Sequence, residues 1–144
     1  AKAKRFLEKG QTPWTPAVSV LYALAAALEM FCQEGLPNVV ARHKRVGNKA
    51  RQEVRSLGLS LFPDDSYASN TVTAVRAPDG LDVKRLLTIL REEHNVVLAG
   101  GQQRLEGKIF RIGHLGYVAE GDMEAVGQAL RLALPEAGFA RARG

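Results

Sequence analysis

At Gly58 the apolar residues of this chain change their spacing, and that change limits the folds open to it. Upstream, Val39, His43, Val46, Ala50, Val54 and Leu57 recur every three or four residues and form one face of a helix, with Gly58 placed as its C-terminal cap. Downstream the runs are short and rich in β-branched residues. Residues 59–62 read as a strand stopped by Pro63-Asp64-Asp65, and residues 71–77 as a second strand before the turn Pro78-Asp79-Gly80. Asp82 can cap a helix with Val83, Leu86, Leu87 and Leu90 facing inward. Residues 96–99 read as a third strand running into Gly100-Gly101, and residues 108–112 as a fourth. Asp122 can open a last helix, with Met123, Val126, Leu130 and Ala133 inward and Pro135 as its stop. Residues 140–144 are expected to fray. The expectation is an α/β chain of the α+β kind: two N-terminal helices, then β-β-α-β-β-α, with a small, mostly antiparallel sheet covered by helices.

The first of those helices has an unusual entry. Thr12-Pro13-Trp14-Thr15-Pro16 is rigid, and a proline at the first helical position behind a threonine is a helix start. Val18, Leu21, Tyr22, Ala25 and Leu28 follow at helical spacing, but the small apolar run 23–28 leaves little polar face. Such a helix is expected to be buried on several sides, in the core or against another subunit.

The 144 residues suffice for one ordinary domain, and a hydrophobic fraction of 46% supplies a core. The net charge of +5 permits nucleic-acid binding, but the basic clusters Lys2-Ala3-Lys4-Arg5 and Arg42-His43-Lys44-Arg45 have no aromatic residues interleaved as a stacking platform requires. No nucleic acid is expected as a partner. The single Cys32 excludes an internal disulfide and a cysteine-based zinc site, and a cytoplasmic location fits. No apolar run is long enough to span a membrane, and no membrane partner is expected. The opening residues have no secretory h-region and read as mid-protein sequence, as a fragment would.

Three features can carry chemistry. Arg111 shares a strand face with Ile109, so its guanidinium needs an anionic partner or a route to water. It either clamps a ligand carboxylate through two parallel hydrogen bonds, or snorkels at an edge or pairs with a glutamate. Gly100 and Gly101, and the later turn Gly113-His114-Leu115-Gly116, each follow a strand. They are either ordinary strand-end turns or places where backbone approaches a ligand; neither matches a nucleotide fingerprint. His43 reads as a hydrogen-bonded structural histidine, and His114 either as a site residue or, as is usual for a lone loop histidine, as surface. Thr12 and Thr15 precede a helix, where hydroxyls can contact a phosphate or simply cap. The three histidines are far apart in the chain, no metal site is expected, and no catalytic nucleophile or base can be named.

Together these blocks resemble one family. Residues 11–19 with Leu21-Tyr22-Ala23-Leu24 are similar to the segment after the cofactor lysine in class V pyridoxal-phosphate-dependent aminotransferases, of the alanine–glyoxylate and serine–glyoxylate branch. Gly35-Leu36 through Arg42-His43, Thr71-Val72-Thr73-Ala74-Val75, Val97-Leu98-Ala99-Gly100-Gly101 and Phe110-Arg111-Ile112-Gly113-His114-Leu115-Gly116 continue the likeness in order. The resemblance implies the C-terminal domain of a fold-type I pyridoxal-phosphate-dependent transferase. Residues 1–34 would end the large cofactor domain and residues 35–144 would be the small domain. It implies transfer of an amino group from a small amino acid (alanine, serine or aspartate) to a 2-oxo acid such as glyoxylate or pyruvate, in a homodimer. Arg111 would grip the substrate's α-carboxylate beside Gly100 and Gly101. Thr15, and with a shorter reach than the family's usual tyrosine Thr12, would contact the phosphate of pyridoxal 5'-phosphate bound in the partner subunit. The family's cofactor lysine, its aspartate at the pyridine nitrogen and its ring-stacking aromatic lie upstream of these motifs, so the chain alone would be inactive. The alternative from another class is a stand-alone regulatory module that binds a small acid at the Gly100-Gly101 turn.

Overall fold

The structure is a computed structural model that describes residues 2–139. The expected fray at 140–144 lies outside the described residues. The chain divides into two compact units, one through Val39 and one from Val40.

The first unit holds α1 (Lys2–Leu7), which the sequence reading did not anticipate, and α2 (Val18–Glu34). Lys2 Nζ stands over the Trp14 ring at 4.6 Å. The start of α2 differs from expectation. Thr15 does not cap it and Pro16 is not its first residue; Ala17 is the N-cap, without a side-chain bond. The Val18 N–H donates to the Pro16 carbonyl at 2.9 Å, with Ala17 at φ −74° and ψ 72°. This is an inverse γ-turn, and it postpones the helix by two residues. No residue of α2 is buried. Val20 is 63% exposed and Tyr22 74%.

The second helix of the reading is α3 (Leu36–Ser56), and it ends as anticipated at Gly58, whose φ is 78°. The Leu59 N–H reaches back to the Val54 carbonyl at 3.2 Å, which satisfies an orphan carbonyl of the last turn. Val46, Ala50, Val54 and Leu57 are buried along one stripe. Three strands follow: β1 (Val72–Arg76), β2 (Ala99–Gly100) and β3 (Ile109–Gly113), with α4 (Val83–His94) between the first two and α5 (Glu120–Glu136) after the third. The sheet is antiparallel in the order β1-β3-β2. The expected first strand at 59–62 is only an isolated bridge, Leu61 to Val75, so the order is β-α-β-β-α. Proline at 63 ends the run before a second ladder pair can form. The strand expected at 96–99 shrinks to Ala99–Gly100.

Asp82 caps α4 as expected, its Oδ1 accepting from the Arg85 N–H at 3.0 Å. Asp122 does not begin α5. It occupies the third helical position, and its Oδ2 accepts from the Ala119 N–H at 2.8 Å. Pro135 sits inside the last turn of α5 rather than closing it, and Gly138 N–H bonds the Pro135 carbonyl at 3.2 Å.

One face of the sheet is covered. Thr73, Val75, Phe110 and Ile112 point into a core built with Val46, Ala50 and Val54 of α3, Leu86 and Leu90 of α4, and Leu130 and Ala133 of α5. Helix α5 passes so close to α3 that a Cβ on Gly127 would stand 2.5 Å from Glu53 Oε2. Lys49 bridges the two helices, 3.0 Å from Glu53 and 2.8 Å from Glu124. The opposite face carries Val72, Ala74 and Arg76 of β1 beside Ile109, Arg111 and Gly113 of β3, and apart from Ile109 it is open or half-open.

Candidate functional site

Arg111 lies at the centre of that open face, on the middle strand, with Ala74 beside it on β1 and Ala99 on β2. Small neighbours on both sides leave its long side chain room to lie over the sheet. It is half-buried, and its Nε–H donates to the Gly100 carbonyl at 3.1 Å. Among the described residues no carboxylate pairs with it. Nε is thus tied to backbone while the guanidinium keeps the paired Nη edge that fits a carboxylate.

The adjacent glycines differ in what they do. Gly100 supplies the carbonyl that aims Arg111, and a Cβ there would meet only Leu87 Cδ1 at 3.4 Å. Gly101 is fixed by sterics: a Cβ would fall 1.9 Å from the Leu105 carbonyl oxygen and 3.0 Å from Ile109 Cγ1. The turn 101–107 therefore folds down over Ile109, and Gly101 N–H closes it onto the Ile109 carbonyl at 3.0 Å. Gln103 in this turn has φ 51°, a left-handed backbone on a residue other than glycine.

The later turn is held from α3. Arg42 Nη1 donates to the carbonyls of Gly116 (2.8 Å) and Val118 (3.3 Å), and His43 Nε2 accepts the Gly116 N–H at 3.3 Å. His43 is hydrogen-bonded and structural, as read. His114 is not a surface residue: it is 1% exposed. Its Nδ1 lies 3.1 Å from the Asn70 carbonyl and its Nε2 2.9 Å from Thr73 Oγ1. A carbonyl only accepts, so Nδ1 carries the hydrogen and Nε2 accepts from the threonine. Burial pushes the imidazole pKa down, against the Asn70 bond, with Arg51 adding to the depression. The sequence signal for this was the residue's place one step past a strand, where a side chain can return to the neighbouring strand. Buried Arg51, which the sequence did not single out, donates to the Ser69 carbonyl at 2.8 Å and to Asn48 Oδ1 at 2.6 Å.

Arg111, Gly100 and Gly101 are brought together. Thr12 and Thr15 belong to the other unit, both exposed on the segment before α2, and among the described residues neither hydroxyl is hydrogen-bonded. A cleft of about 90 Å³ lies elsewhere, lined by Ser56, Leu57, Arg131, Leu134, Pro135 and Phe139. It is apolar apart from Ser56 and Arg131 and offers no acid–base pair. Among the described residues no three His, Cys, Asp or Glu side chains are grouped to hold a metal ion, and no helix is long and apolar enough to cross a membrane.

No family model matches the chain. Curated relatives do. An uncharacterized aminotransferase of Methanocaldococcus jannaschii is 42% identical over 139 residues, which is 96% of this chain and 36% of that protein. The small subunit of a soluble hydrogenase from a Synechococcus strain is 41% identical over 96% of this chain and 36% of its own length. The serine–glyoxylate aminotransferase of Arabidopsis thaliana is 37% identical over 88% and 32%. The crystal structure of pyridoxamine–pyruvate aminotransferase from Mesorhizobium loti superimposes with a TM-score of 0.82 at 39% identity, over 89% of this chain and 33% of that one. The chain thus spans about a third of the length of the relatives it matches. In sequence and in fold the chain is similar to about a third of aminotransferases of this kind, alanine–glyoxylate and serine–glyoxylate aminotransferases among them.

Proposed function

We propose that this chain is the substrate-recognising part of a pyridoxal-phosphate-dependent aminotransferase that moves an amino group from a small amino acid (alanine, serine or aspartate) to a 2-oxo acid such as glyoxylate or pyruvate. The observation that carries the reading is Arg111: a guanidinium on an open sheet face, aimed by the Gly100 carbonyl and paired with no acid among the described residues. Both substrates of such a reaction carry a carboxylate beside the reacting carbon. One fixed arginine can orient either by two parallel hydrogen bonds, which places the reacting carbon without the arginine taking part in proton transfer.

The cofactor, when bound, supplies the electron sink. The chain's own residues fit one part of it. The hydroxyls of Thr15 and Thr12 are exposed and uncommitted among the described residues, and each can donate to a phosphate oxygen. Thr15 is not consumed in capping α2, which supports this role. In the whole enzyme, residues 1–34 belong to the large domain and residues 35–144 form the small one. The uncovered apolar surface of α2 is then buried by the large domain or by the second subunit of a cytoplasmic homodimer.

The test is a pair of substitutions in the whole enzyme. Arg111→Lys keeps the charge and loses the fork, so kcat/KM is expected to fall roughly tenfold to a hundredfold, with cofactor retention unchanged. Thr15→Ala is expected to do the reverse, weakening cofactor retention and lowering turnover only through occupancy. Exchanged phenotypes, or normal kinetics of Arg111→Lys with every small amino acid tried, refute the assignment.

A further inference from the structure

We propose that His114 is a positioning residue for the carboxylate-binding strand: its imidazole locks the end of β3 to β1 and so keeps Arg111 on the open face, tied to Gly100. The role given to Arg111 rests on the reading above; the lock itself does not.

Beyond Gly113 the regular ladder ends, and Gly113 is exposed with no side chain to pack. Three bonds from His114 extend the attachment. Its backbone N–H donates to the Thr71 carbonyl at 2.9 Å, its Nδ1–H to the Asn70 carbonyl at 3.1 Å, and its Nε2 accepts from the Thr73 hydroxyl at 2.9 Å. Thr73 is the ladder partner of Ile112, and Ala74 is that of Arg111, so the ring grips β1 one residue away from the arginine's own partner. A slip of one residue would turn Arg111 into the core and Phe110 out of it.

Helix α3 is shaped to this ring. A Cβ on Gly47 would stand 3.3 Å from His114 Cε1 and 3.2 Å from Asn70 Cα, so a larger residue there would have to push the ring and the loop back by a few tenths of an ångström. Arg51, one turn on, ties the 69–70 segment through the Ser69 carbonyl and Asn70 Oδ1, the latter at 3.4 Å. The ring thus lies between a fixed loop, a strand and a helix. The charged or titratable groups that act on it, Arg51 and His43, are both on α3 and both oppose its protonation. β1 and the 69–71 segment offer it only neutral groups, Thr73 and the Asn70 carbonyl. A second proton would take the Thr73 hydroxyl's acceptor away and add charge in a buried site.

The lock is tested by NMR on the nitrogen-labelled protein, reading hydrogen exchange of the Arg111 Nε–H, which the Gly100 bond should slow. Thr73→Val keeps the shape and removes the hydroxyl; Thr73→Ser keeps the hydroxyl. The expected result is about tenfold loss of Arg111 Nε–H protection in Thr73→Val, retention in Thr73→Ser, and unchanged protection of the core amides of Leu90 and Leu130. In the wild-type protein, protection corrected for intrinsic exchange should fall as the imidazole protonates; this measurement stands even if a variant fails to fold. Arg111 protection that ignores both Thr73→Val and imidazole protonation overturns the proposal. Pyruvate titration of the whole enzyme separates the two readings. Weaker pyruvate binding in Thr73→Val supports the lock acting on the carboxylate site. Lost protection in a protein that takes up no pyruvate supports the lock and refutes the carboxylate reading.

Discussion

Two adjacent glycines should respond very differently to the same added methyl group. At Gly101 a Cβ would sit 1.9 Å from the Leu105 carbonyl oxygen and 2.5 Å from its carbon, far inside any contact real Cβ atoms make. The obstacle is backbone, so no rotamer change relieves it. Gly101→Ala must lift the turn by roughly 1 Å or more, which strains the Gly101–Ile109 backbone bond and uncovers Ile109, now only 4% exposed. Overpacking of this kind costs about 1–3 kcal/mol. At Gly100 the Cβ would meet Leu87 Cδ1 at 3.4 Å, the end of a half-buried side chain that can give way. Gly100→Ala should therefore cost under about 0.5 kcal/mol. Urea denaturation followed by circular dichroism measures both. With m near 1–3 kcal/mol/M, the Gly101→Ala midpoint should fall by about 1 M at an unchanged slope, and Gly100→Ala should overlay the wild type. Equal midpoints for the two variants would show that the turn does not rest on Ile109 as described.

Other outcomes follow from the same geometry. The buried, neutral His114 has its pKa pushed below that of the unfolded chain, about 6.5, so the unfolded state binds more protons between the two values. Its contribution to stability should be complete above that pH and be lost as pH falls toward the folded value, which urea midpoints at several pH values will show; His114→Gln should flatten that dependence. Asp82→Ala removes the cap of α4 and should lower stability by about 1 kcal/mol, whereas Asp82→Ser should restore most of it. The isolated chain exposes the apolar side chains of α2 and should self-associate; sedimentation showing a clean monomer at high concentration would contradict this.

The period of apolar residues was enough to locate helices α3, α4 and α5, strands β1 and β3, and most of the core, because a stripe at 3.6 or an alternation at 2 has a buried side wherever it is placed. It also singled out Arg111, since a charge between Phe110 and Ile112 demands an explanation in any fold. Elements whose existence depends on partners were not legible. Residues 59–62 have strand character, yet only one bridge forms, because pairing needs a neighbour over several residues and Pro63 removes it. The delayed start of α2 came from a turn at Ala17, which local preference for a Thr-Pro start does not encode. The burial of α2 could not be decided by its sequence either: an apolar surface says that something must cover it, but not what, and no residue of α2 is buried among the described residues. What tertiary structure alone decided lies around the ends of β3. Gly101 is glycine because another part of the same turn occupies its Cβ position, and His114 is buried because Thr73, Asn70 and Gly47 converge on it from residues 41 to 67 positions earlier in the chain. A sequence pattern records what each segment wants from water, but not which distant segment arrives to provide it.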